Sequence, residues 1–64
     1  MVTVNGEQKD IAGCNLYKYL IEEGYELNRV VIELNLDIIP REQLEQITIK
    51  DDDVLEVLRF VGGG

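Results

Sequence analysis

The sequence predicts an α+β fold in which one helix packs across a mixed sheet of four to five strands. Three observations carry that expectation. An Asn-Gly pair at Asn5-Gly6 follows the alternating run Val2-Thr3-Val4, a strong short-range hairpin signal. One short stretch, opened by Asn15 and closed by Gly24, has helical spacing of its apolar residues. The rest of the chain supplies runs rich in β-branched residues, separated by turn residues.

Taken in order, Val2–Val4 forms the first strand and residues 7–11 return as the second. Asn15 can cap the helix that follows, because its side-chain oxygen accepts a free backbone N–H of the first turn. Leu16, Tyr19 and Leu20 recur at helical spacing, so Leu16 and Leu20 face the sheet over about two turns. Gly24 suits the left-handed position just past the helix end. Residues 29–34 read as the third strand, with Val30, Ile32 and Leu34 on one face. Asn35 begins a turn, and residues 37–39 form a short strand that Pro40 stops, since proline cannot donate to a ladder. Residues 41–46 are a helical turn or a loop, Asp51–Asp53 is a turn, and residues 54–61 form the last strand. Gly62-Gly63-Gly64 is expected to trail as a flexible tail behind a domain of residues 1–61.

Composition narrows the function classes. At 64 residues the chain is near the lower limit for a core without staples, and its one cysteine allows no internal disulfide. Hydrophobic residues make up 45% of the chain, enough for a packed core despite a net charge of −7. Histidine is absent, which removes the usual general base, nucleophile partner and transition-metal ligand. The sequence therefore reads as a poor enzyme candidate, with its chemistry done in a partner's active site. Asp and Glu outnumber Lys and Arg by 13 to 6, which disfavours nucleic acid and suits a basic protein surface. There is no signal-peptide pattern and no apolar run of the roughly 18 residues a membrane helix needs, so a cytoplasmic location without membrane contact is expected.

Two stretches support a family resemblance. Leu55-Glu56-Val57-Leu58-Arg59-Phe60-Val61-Gly62-Gly63-Gly64 resembles the last strand and diglycine tail of ubiquitin-like proteins. Asn35-Leu36-Asp37-Ile38-Ile39-Pro40-Arg41 is similar to the Asn-x-x-Ile-Val-Pro-Arg segment of the thiamine sulfur carriers, the ThiS family. With the element order, these residues resemble a ubiquitin-like β-grasp sulfur carrier. Gly62 is a departure, where many relatives of that kind carry another small or apolar residue.

The resemblance implies a division of roles. Gly64 carries an adenylate and then a thiocarboxylate at its carboxyl group, and Gly62 and Gly63 thread the partner's narrow channel, where side chains would obstruct. Leu58 and Phe60, on the outer face of the last strand, are the implied partner contacts. The implied partners are a ThiF-like adenylating enzyme, a ThiG-like thiazole synthase and a sulfur donor such as a cysteine desulfurase. No cofactor or metal is held by the chain itself, and ATP is used by the activating partner. A molybdopterin synthase small subunit, a conjugated ubiquitin-like modifier and an interaction module with an inert tail remain as alternatives. Cys14 reads as part of the turn into the helix, because no basic residue adjoins it to activate the thiol. Asp51–Asp53 lacks the glycine and distal glutamate of a calcium loop and reads as a solvated turn. With few aromatic residues and no basic interleaving, Tyr17, Tyr19 and Tyr25 do not read as a base-stacking platform.

Overall fold

The computed structural model describes residues 1–59. The expectations for Phe60, Gly62, Gly63 and Gly64, and the boundary between residues 61 and 62, lie outside the described residues.

The strands are β1 (Val2–Val4), β2 (Glu7–Lys9), β3 (Val30–Leu34), β4 (Asp37–Ile38) and β5 (Val54–Arg59), with the helix α1 at Leu16–Glu22. They form one sheet in the order β2-β1-β5-β3-β4. The β1–β5 pair is parallel and the other pairs are antiparallel, so the sheet is mixed as expected. The strand that leads to the tail is therefore the central one, held on both sides.

The local reasons are visible. Asn5 and Gly6 both have positive φ (49° and 84°), the geometry of a two-residue type I′ hairpin turn, and they bring Val4 opposite Glu7. Asn15 takes an extended conformation and accepts the amide of Lys18 at 3.1 Å, and its own amide nitrogen donates to the carbonyl of Glu45 at 2.8 Å. Gly24 ends the helix at φ 85°, and its N–H and that of Tyr25 close onto the carbonyls of Ile21 and Leu20.

Leu16, Tyr19 and Leu20 from α1 pack against Val2, Val4, Ile32, Leu55 and Val57 from the sheet, all buried. Two further core residues, Leu44 and Ile49, come from the stretch between β4 and β5, where the sequence shows no clear period. Arg41–Gln46 forms a 3-10 helix that drops Leu44 beneath α1. The next segment pairs with the approach to the helix: Leu16 donates to Ile47, and Ile49 donates to Cys14.

Several boundaries differ from expectation. The return strand ends at Lys9 rather than residue 11, because Ile11 leaves the ladder and packs against the core edge. Arg29 belongs to a 3-10 turn at Leu27–Arg29 that precedes β3. The edge strand β4 has only two residues, since Ile39 turns its N–H back to Ile32 and Pro40 has none to offer.

Candidate functional site

The site is organised around β5 and the face it shares with β3. Strand alternation places Leu55 and Val57 inward, buried beneath α1, and Val54, Glu56 and Leu58 outward. Cross-strand register puts Leu58 opposite Val31 and Glu56 opposite Glu33, and Glu33 in turn opposite Ile38 of β4. The sheet's outer face thus carries aliphatic residues around two facing carboxylates. Leu58 is 45% exposed and Ile38 67% exposed there. Glu33 and Glu56 sit directly opposite each other with like charge, an arrangement that costs sheet stability.

Leu58 is thus the one predicted partner contact that the described residues include, and it stands on the outer face. Phe60 and the three glycines follow Arg59 in sequence and are not described. Ile38 joins the apolar surface, and Leu36, in the turn before β4, is 84% exposed. The sequence signal for Ile38 was available: it alternates with Asp37 on a short edge strand beside Pro40. Leu36 gives no such signal, because its exposure follows from a turn.

That turn is fixed by Asn35. Its amide nitrogen donates to Asp53 at 2.9 Å, its side-chain oxygen accepts the N–H of Val54 at 2.9 Å, and its backbone N–H donates to the carbonyl of Val54 at 2.8 Å. Asn5 holds the middle of the same strand, accepting the N–H of Val57 at 2.8 Å. Two asparagines thereby position β5 at its start and its middle, and in the sequence each looks like nothing more than a turn residue.

The acidic turn is structural in its contacts. Asp53 accepts the amides of Asn35 and of Lys50, the latter at 2.8 Å, and Asp52 adopts φ 69°. Asp51 pairs with the Met1 ammonium, and this hydrogen bond lowers the Asp51 pKa below its ordinary value. The same bond raises the pKa of the ammonium, with smaller help from the surrounding aspartates. Among the described residues, no three His, Cys, Asp or Glu side chains are grouped to hold a metal ion. Cys14 is exposed in the turn before α1, away from the outer face. No helix among the described residues is long and apolar enough to cross a membrane.

Sequence reasoning missed the surroundings of Arg59. Its guanidinium carbon lies 5.6 Å from the centre of the Tyr25 ring, within cation–π range. Burial raises the pKa of the Tyr19 phenol, and the negative charge of Glu23 adds to that shift.

Comparison with known proteins gives a consistent set of likenesses. The ThiS family model matches residues 2–64. The sulfur carrier protein ThiS of Thermus thermophilus is 34% identical over 64 residues, covering 100% of both chains. A thiazole synthase of Paramagnetospirillum magneticum is 33% identical over 64 residues, 98% of this chain but only 20% of that protein. The chain thus spans about a fifth of the length of that relative. The crystal structure of a thiamine biosynthesis protein (ThiS) from Geobacter metallireducens superposes with a TM-score of 0.77 at 34% identity, covering 98% of this chain and 97% of that one.

Proposed function

The chain belongs to the ThiS family, and from that premise we propose that it is a sulfur carrier for thiamine thiazole formation, loaded at the carboxylate of Gly64. The observation that carries the reading is the full-length likeness to a protein named as a sulfur carrier, with the family model matching through Gly62-Gly63-Gly64. The fold agrees with it, since the strand preceding those glycines is the central strand of the sheet.

A carboxylate is a poor acyl donor, because its leaving group would be oxide. In the proposed cycle the Gly64 carboxylate oxygen attacks the α-phosphorus of ATP in the activating enzyme, and pyrophosphate leaves. The acyl-adenylate then accepts sulfur at its carbonyl carbon, and AMP departs. If the donor is a persulfide, a thiol reduces the resulting acyl disulfide and releases the thiocarboxylate. This chain acts as a co-substrate in every step, and its own contribution is to present an unhindered glycine terminus from a rigid strand.

The ThiF-like adenylating enzyme would dock on the outer face around Leu58 and Phe60. A thiazole synthase is the proposed sulfur acceptor; a protein of that name contains a stretch similar to this whole chain. A cysteine desulfurase is the proposed sulfur source.

Intact mass after incubation with the adenylating enzyme, ATP and a sulfur source tests the proposal. Exchange of a terminal oxygen for sulfur adds about 16 Da, and a reaction lacking only the sulfur source separates this from oxidation of Cys14 or Met1. A sulfur-dependent shift mapping to Gly64 is the expected outcome. Absence of a shift, with an enzyme active on another carrier, would leave the tail without this role.

A further inference from the structure

Arg29 and Arg59 line one hollow at the end of β5, together with Gly24, Glu26 and Val30. The register that pairs Val30 with Arg59 brings the two arginines to the same end of the sheet. Arg41 lies close by, donating from Nη1 to the Asn28 side chain next to Arg29. The chain has three arginines in all, and they gather where β5 leads into residues 60–64. Its lysines do not join them: Lys50, for example, adjoins the aspartate turn before β5.

These guanidiniums keep donors to offer. The Arg29 Nε lies 3.6 Å from Glu26, but both side chains are about three-quarters exposed, so the pair is weak and engages Nε rather than the terminal nitrogens. Arg59 rests on the Tyr25 ring, an arrangement that orients its plane without occupying its N–H groups. No carboxylate among the described residues forms an ion pair with Arg59. Among the described residues, Glu26 is the only acid lining the hollow; Glu23 lines a separate one with Tyr19 and Tyr25. Two guanidiniums against one carboxylate is the reverse of the chain's overall balance of 6 bases to 13 acids.

We propose that this hollow receives an acidic side chain of the activating partner, at the mouth of the channel that admits the tail. The inference rests on the reading that a partner activates Gly64. The ligand class follows from the guanidinium pair, whose forked donors match a carboxylate. Its source follows from reach: Gly64 is five positions beyond Arg59, and an extended chain covers about 3.3–3.6 Å per residue, roughly 17 Å in total. With the tail threaded, Arg29 and Arg59 stay at the rim and the nucleotide lies out of their range. The contact would counter the repulsion that a net charge of −7 creates against an acidic rim, and it would orient the carrier tail-first.

The test is steady-state loading kinetics with the adenylating enzyme, comparing the wild-type chain with an Arg29→Ala/Arg59→Ala variant. The expected result is a rise of about tenfold in KM for the carrier, unchanged kcat and a weaker dependence of KM on salt. Arg29→Lys/Arg59→Lys should recover part of the loss, and thermal melts of both variants check that they fold. A carrier KM unchanged in the double alanine variant would overturn the proposal, and so would a fall in kcat alone. An increased KM for ATP, or a shift of the Arg29 and Arg59 side-chain resonances with inorganic triphosphate, would assign the hollow to nucleotide phosphate instead. If the wild-type chain is never loaded, the sulfur-carrier reading itself fails, an outcome distinct from these.

Discussion

Leu36 shows how much one residue can conflict with its backbone. It sits at φ 73°, a region where an L side chain costs about 1–2 kcal/mol, and its side chain is 84% exposed and so gains little from burial. Leu36→Gly relieves that strain, against an entropic penalty of roughly 0.5–1 kcal/mol for ordering a glycine. The net expectation is a stabilisation of a few tenths to about 1 kcal/mol, a rise of a few degrees in melting temperature. A thermal melt of the variant checks it, and a fall in Tm would mean that the leucine makes a contact that offsets the strain. Asp51 gives a second prediction at this scale. Its depressed pKa adds stability above the ordinary carboxylate range, and that contribution is lost as pH falls through the depressed value. The Met1 ammonium is the mirror case: its contribution is complete below its ordinary range and is lost as pH rises through the raised value. The pair therefore contributes fully between those ranges. Acetylating the amino terminus should bring the Asp51 titration midpoint, followed by NMR, up toward an ordinary aspartate; an unchanged midpoint would assign the shift to another cause.

At the scale of elements, the segment between β4 and β5 carries the most weight for its apparent disorder of pattern. Arg41–Gln46 and the following residues lack helical or strand periodicity, yet they deliver Leu44 and Ile49 to the core. Leu44→Ala opens a cavity beneath α1, at a cost of about 3 kcal/mol, and lowers Tm by on the order of 15 °C in a domain this small. A melt showing only a few degrees of loss would mean that the 3-10 turn collapses to fill the space. The elements that were legible share one property, a local signal that agrees with tertiary demand. Asn5-Gly6 sets its turn by backbone preference alone, Asn15 and Gly24 bound a helix whose apolar stripe fits the sheet, and Pro40 confines β4 to an edge. Leu44 and Ile49 were not legible, because only contact with the distant α1 and the segment before it gives them a place. The site divides in the same way. The outward position of Leu58 follows from alternation, whereas the packing of Arg59 on Tyr25 joins residues far apart in sequence that no spacing relates.

At the scale of the whole molecule, the core strand β5 and the residues of the proposed chemistry follow one another in the sequence. Among the described residues, the last buried one of β5 is Val57, and the ladder to β3 runs as far as Arg59. Fold and loading should therefore separate cleanly by mutation. Leu58→Asp adds a third carboxylate to an outer face that already holds Glu33 and Glu56, so carrier KM for the activating enzyme should rise at least several-fold with little change in Tm. Phe60→Asp, though outside the described residues, is expected to act in the same direction; unchanged affinity in both variants would move the docking surface elsewhere. Deleting Gly64 takes the argument to its limit. It removes the proposed acceptor carboxylate from its reach into the partner while leaving every residue of the described core in place. Sulfur loading should vanish and the melting temperature should stay that of the full chain. A large drop in Tm would mean that the glycines support the fold, and loading that survives the deletion would mean that the terminal carboxylate is not restricted to this position.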